Sequence, residues 1–99
     1  MSASAPIALT GSGVAIPAVP GFSIVVISSA LVARSATDVK FQSNATDICG
    51  AIPLASNAGF VLPLASVQYP WMKTAPGEAL NINMSSAVYV GGIITYDLI

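Results

Sequence analysis

The residues that could carry out chemistry are few in this chain. It has no histidine, so a Ser-His-Asp triad, a Cys-His dyad and the commonest metal ligand are all missing. Its carboxylates are Asp38, Asp47, Glu78 and Asp97, and a glycosidase needs two such groups facing each other across a cleft. No local spacing brings two of them together. We therefore expect no enzyme activity and no catalytic residue.

Cys49 is the single cysteine. It cannot form an internal disulfide, which fits synthesis in a reducing cytosol, and it cannot build a zinc site of the Cys/His kind. The Gly11-Ser12-Gly13 stretch lacks the Gly-Lys-Ser/Thr ending of a phosphate-binding loop. The sequence thus predicts no metal and no cofactor.

The remaining candidates for recognition are three cations and a pair of aromatic residues. Arg34, Lys40 and Lys73 are far apart in the sequence, whereas a phosphate backbone requires clustered Lys and Arg, so we expect no nucleic-acid partner. Tyr69 and Trp71 could stack on a sugar. Anchoring a core or an interface is the commoner use of such residues.

Charge is scarce along the whole chain. Charged residues make up 7% of the sequence and hydrophobic residues 55%, against about a quarter charged in an average soluble domain. Part of the surface is therefore hidden in an assembly or in a membrane. Residues 13–33 are uncharged and long enough to span a bilayer, but Pro17, Pro20 and Gly21 interrupt any helix there. We expect no membrane, and keep a small membrane protein as the least favoured alternative.

The elements that would position these residues follow a period of two. Short alternating stretches are separated by turn signals every 8 to 12 residues or so, the pattern of an all-β protein with about eight strands. Residues 1–13 are rich in Ser, Ala and Gly, and we expect them to form a flexible N-terminal arm. Residues 14–99 are expected to form a single antiparallel β-sandwich or jelly roll.

The expected strands differ in how many apolar faces they carry. The 79–84 strand places Asn81 and Asn83 on one face, which suits contact with water. Strict alternation makes the 22–33 and 88–99 strands apolar on both faces, while a sandwich buries only one face of each strand. A subunit interface would cover the second face. The candidate interface residues are Ile27, Tyr89 and Ile93.

Several short segments, in a fixed order, resemble a widespread group of small virion proteins of tailed bacteriophages, of the head decoration or cement type. The resemblance covers about residues 22–98. The segments are 38–43 and 46–50 (a V-x-F-x-S … T-D-I-x-G stretch), 59–63, Trp71, 75–83, 88–92 and 95–96.

This resemblance implies a small β-sandwich or jelly-roll domain that forms a homotrimer, which we expect to be of the tumour-necrosis-factor type. It further implies a place on the capsid exterior of a virion, after synthesis in the host bacterial cytoplasm. The partners would be other copies of the chain and the major capsid protein. The group has no catalytic residue to carry over. A tail, baseplate or fibre component with the same module, including a glycan-binding one, is the alternative function.

Overall fold

Ten β-strands follow one another along residues 3–99, the part of the chain that the computed structural model describes. No helix is present in that range. The strands are β1 (Ala3–Leu9), β2 (Gly13–Ile16), β3 (Ile24–Ala33), β4 (Thr37–Ser43), β5 (Thr46–Asp47), β6 (Ile52–Leu54), β7 (Gly59–Leu62), β8 (Met72–Lys73), β9 (Leu80–Met84) and β10 (Val90–Leu98).

The strands form two antiparallel sheets of five strands each. The first sheet has the order β1-β10-β3-β7, with β8 also paired to β3, and the second has the order β2-β9-β4-β5, with β6 also paired to β4. The two sheets pack against each other, so the prediction of an all-β sandwich is confirmed. In each sheet two short strands pair with the same neighbour: β7 and β8 with β3, and β5 and β6 with β4. The described residues therefore form ten strands where about eight were expected.

The core lies between the sheets and is made of alternate residues from both. Val39 and Phe41 of β4 face Leu31 and Ile94 of the first sheet within one apolar cluster, and none of them is more than 1% exposed. Full burial of a side chain such as Phe41 stabilises the fold by about 1.5–3 kcal/mol. Asp38, Lys40 and Gln42 of β4 alternate with its buried residues and lie on the outer side. Asn81 and Asn83 of β9 do the same, as the sequence predicts.

Residues 3–9 differ from the expected flexible arm. They form β1, an edge strand paired with β10 from Ala3 to Leu9, and Ile7 is buried in the core. The composition of this segment suggests flexibility, but its alternate residues Ala5, Ile7 and Leu9 add to the core cluster, and this burial holds the strand. Residues 1 and 2 of the expected arm lie outside the described residues.

A β-bulge in β3 changes which residues face the core. Val26 pairs with Tyr96 and Ser28 pairs with Thr95, so Ile27 is an extra residue between two consecutive partners on β10. Such an extra residue reverses the alternation beyond it. As a result Leu31 joins the core, where strict alternation had placed it on the outer face with Ile27.

Several of the connections between strands contain a residue with a positive φ angle. Asn44, Asn57 and Gly77 have φ angles of 51°, 60° and 76°, and each lies between two strands. Asn and Gly tolerate this left-handed region better than other residues. The described residues contain no helix long and apolar enough to cross a membrane.

Candidate functional site

The outer face of the first sheet is the most distinctive surface of the described chain. Directly paired residues of an antiparallel sheet point to the same side, so the register fixes which residues share this face. Three neighbouring rows of side chains on it contain no charged member, and the row beyond them contains Asp97, Val25 and Lys73. The Ile93 row is Pro6, Ile93, Ala30 and Val61; the Gly91 row is Ala8, Gly91, Val32 and Gly59; the hydroxyl row is Ser4, Thr95 and Ser28. We call these rows together the uncharged face.

Large apolar side chains of the uncharged face are open to solvent and adjacent to one another. Val61 is 72% exposed, Val32 51% and Ile93 46%. Single exposed apolar residues are ordinary on protein surfaces, whereas a contiguous group of them marks a contact surface. The hydroxyl row borders this group, and Ser4 Oγ and Thr95 Oγ1 lie 3.4 Å apart.

A depression of about 330 Å³ lies at the Gly91 row. Val32, Gly91, Tyr89 and Arg34 are among its lining residues. The Tyr89 ring lies so close over Gly91 that a Cβ at that position would come within 2.6 Å of the Tyr89 hydroxyl. The Arg34 guanidinium carbon is 4.9 Å from the centre of the same ring, a cation–π contact. One cation therefore stands at the rim of the uncharged face.

The outer face of the second sheet is different in character. Its β4 and β9 residues include Asp38, Lys40, Gln42, Asn81 and Asn83, which alternate with the buried residues of the same strands. Amides and charges hydrogen-bond with water, so this face needs no protein partner. The two outer faces of the sandwich are therefore unlike each other.

The three predicted interface residues fall in different environments. Ile93 is at the centre of the uncharged face, and Tyr89 is 37% exposed at its rim beside the depression. Ile27 is only 2% exposed, and its carbonyl accepts a hydrogen bond from Ala65 N in the loop after β7. Ile27 is therefore buried within its own chain and offers almost no area to a partner, so it does not fit the predicted interface.

Other residues of the uncharged face were missed by the sequence reasoning. Pro6 and Ala8 belong to β1, which was assigned to the arm. Val32 lies beyond the bulge, where the alternation reverses, and Val61 lies in the short strand β7. The alternation of Ala5, Ile7 and Leu9 with the residues between them was the signal that could have identified β1 as a strand.

Two of the carboxylates, those of Asp47 and Glu78, accept hydrogen bonds from other side chains. Asp47 accepts a hydrogen bond of 2.7 Å from the Gln42 amide and one of 3.1 Å from the Lys40 ammonium group. These two bonds hold the pKa of Asp47 below its ordinary value of 3.8. The Glu78 carboxylate accepts a hydrogen bond from the Ser43 hydroxyl. Among residues 3–99, no three His, Cys, Asp or Glu side chains lie close enough to hold a metal ion.

The aromatic pair lies in the loop between β7 and β8. Tyr69 is 76% exposed and Trp71 is 47% exposed. The Trp71 indole Nε1 donates a hydrogen bond of 2.7 Å to the Pro63 carbonyl, and its backbone N donates to the Val26 carbonyl. These bonds fix the tryptophan at the edge of β3, while the Tyr69 ring is open to solvent.

Comparison with known proteins does not identify the chain. No protein-family model, no curated protein and no solved structure matches it. The physical properties of the surface therefore carry the functional conclusions.

Proposed function

We propose that this protein is a structural virion protein: a capsid decoration (cement) protein that binds the outer surface of a phage head. It stabilises the head through many weak noncovalent contacts, as a homotrimer whose partner is the major capsid protein. Linking several binding sites in one assembly makes a weak single contact strong overall.

The uncharged face is the observation that carries the proposal. A small domain that presents Ile93, Val32 and Val61 side by side, with no charge among them, gains most by covering that surface with protein. The sequence segments resemble those of head decoration proteins in their order along the chain. This resemblance is the reason for placing the assembly on the phage head.

The strand order gives further support. Most connections cross from one sheet to the other, while β4 to β6 and β7 to β8 each stay within one sheet. The orders β1-β10-β3-β7 and β2-β9-β4-β5 are those expected when a long hairpin of strands folds over into two sheets. We infer a jelly roll from this order, an arrangement that is common among viral capsid domains. A shared fold does not establish a shared function, so the surface remains the main support.

Particles made with and without the protein test the proposal. We expect cryo-electron microscopy to show additional density on the head exterior when the protein is present, and heads that lack it to release their DNA at a lower temperature. Unchanged head density and unchanged heat resistance would contradict a decoration role.

A tail, baseplate or fibre component that binds glycans is the second candidate, favoured by the exposure of Tyr69 and Trp71 in one loop. In the same imaging experiment it predicts density on the tail. Binding to a glycan array that is lost in Tyr69→Ala and retained in Tyr96→Phe, a change of a half-buried tyrosine outside the loop, would support this alternative.

A further inference from the structure

We propose, building on the proposed function, that the partner covering the uncharged face is a second copy of the same chain, placed by a two-fold axis. The axis lies in the plane of the contact, runs perpendicular to the strands and passes midway between the Ile93 row and the Gly91 row. In this arrangement the Ile93 row of each copy lies over the Gly91 row of the other.

The rotation opposes two residues of the same strand at each of the four strands. The opposed pairs are Pro6 with Ala8, Ile93 with Gly91, Val32 with Ala30, and Val61 with Gly59. Pro6 and Val32 meet the small alanine side chains. The Tyr89 ring covers Gly91, and Val32 Cγ2 lies beside the Cβ position of Gly59, so Ile93 meets the ring and Val61 meets the valine. Because packed sheets cross at about 30°, the fit is best kept in the central strands β10 and β3.

The depression beside Gly91 provides an independent reason for this placement. Its volume is about 330 Å³, and Val32, Tyr89 and Asn57 are among its lining residues. Ile93 of the second copy arrives over Gly91, where it packs on the Tyr89 ring at the edge of the depression. Interfaces draw much of their affinity from a few well-packed side chains of this kind.

The charge pattern also favours a second copy over an unlike partner. A two-fold contact uses the same patch on both chains, so any charge on that patch would face a like charge close by. The three rows contain no charge, and Arg34 stands at the rim, where solvent screens it. The face offers no charge that would attract an oppositely charged partner.

The available area predicts a weak pairing. The three rows span residues 4–8, 91–95, 28–32 and 59–61. With strands about 4.8 Å apart and about 3.3 Å per residue, they give a face of about 300 Å² in projection. A standard interface buries about 800 Å² of accessible surface per partner. Side-chain relief and the Tyr89 rim add area, and we expect a dissociation constant in the micromolar range. The pairing uses a two-fold axis and the proposed trimer a three-fold axis. Pairing therefore doubles the mass of the assembly whether the unit that pairs is a single chain or a trimer.

Sedimentation equilibrium of the full chain over a range of concentrations tests the pairing. We expect Ile93→Lys to have half the mass of the unaltered protein, because the ammonium group would be buried in an apolar contact. The matched control is Val14→Lys, which places the same charge at a 51% exposed valine on the outer face of the second sheet and should leave the mass unchanged. Val61→Lys, at 72% exposure, repeats the test if Ile93→Lys does not fold, as judged by circular dichroism.

A mixture of variants sharpens the test. The two Ile93 side chains of a pair flank the axis, so an equimolar mixture of Ile93→Lys and Ile93→Asp should recover the doubled mass that neither variant shows alone. Equal masses for the unaltered protein and Ile93→Lys at every concentration would overturn the pairing. If that variant also failed to bind heads, the uncharged face would contact the capsid, which leaves the proposed function intact. A halved mass together with no head binding by the unaltered protein would support the pairing and overturn the proposed function.

Discussion

At the scale of single residues, two buried hydroxyls differ in what they do. Ile24 N donates a hydrogen bond of 2.9 Å to Thr74 Oγ1, and Thr74 N donates to the Ile24 carbonyl, which ties the segment after β8 to the start of β3. Ser29 is equally buried, and its hydroxyl has no hydrogen-bond partner in the described structure. A buried polar group stabilises a fold only through the bonds it makes.

Thr74→Val is therefore expected to lower the free energy of unfolding by about 1–3 kcal/mol, because it leaves the buried Ile24 N–H without an acceptor while keeping the side-chain shape. Ser29→Ala is the control, since it also removes a buried hydroxyl from the core but breaks no bond, and it should cost nothing. Urea unfolding of the two variants measures the difference. Equal losses in both would show that the Thr74 bond contributes little.

At the scale of elements, period-two alternation predicted the strands that keep it. The outward residues of β4 and β9 and the inward Val90, Ile94, Tyr96 and Leu98 of β10 are as expected. The alternation of β3 could not be predicted, because a bulge depends on the pairing with β10 and has no local signature at Ile27. The pairing of β1 with β10 likewise joins residues about ninety positions apart. The composition of residues 3–9 contains no information about so distant a partner, so this pairing could not be predicted.

The uncharged face was predicted only in part for the same reason. Ile93 belongs to the last strand, which the pattern located correctly. Tyr89, which the pattern places in the same strand, lies just before β10 begins at Val90. Pro6, Ala8 and Val61 join them only when the sheet order is known. A row that crosses four strands is a property of the sheet, and no window of the sequence contains it.

Gly92 lies where the backbones of β10 and β3 approach each other closely. Its φ is 151°, and a Cβ there would lie 1.8 Å from the Ala30 carbonyl oxygen. We expect Gly92→Ala to lower the free energy of unfolding by about 3 kcal/mol or more, since the backbone must shift to remove the clash. Gly50→Ala is the matched control, because nothing lies within 4 Å of its added Cβ. A thermal midpoint of Gly92→Ala equal to that of the control would exclude a close approach at this position.

At the scale of the whole molecule, the few charges lie around the uncharged face. Lys40 and Asp47 form an ion pair of 3.1 Å on the outer side of the second sheet. On the first sheet, Asp97 and Lys73 both pair with Val25 in the row beyond the hydroxyl row, and Arg34 stands at the opposite rim, so charge borders the three rows but does not enter them. A surface of this kind associates through the exclusion of water, which has a characteristic response to solution conditions.

The proposed pairing should consequently be insensitive to screening. Raising sodium chloride from about 0.1 M to about 1 M shortens the Debye length from about 10 Å to about 3 Å and would weaken an interface held by ion pairs. For the uncharged face we expect the dissociation constant, measured by sedimentation equilibrium, to stay the same within a factor of about two over this range. Sodium sulfate, which strengthens apolar burial, should lower it, while Ile93→Lys should show no pairing in either salt. A marked loss of pairing in concentrated sodium chloride would mean that charged groups hold the copies together. The contact would then have to include the outer face of the second sheet, the Arg34 rim or the row of Asp97 and Lys73.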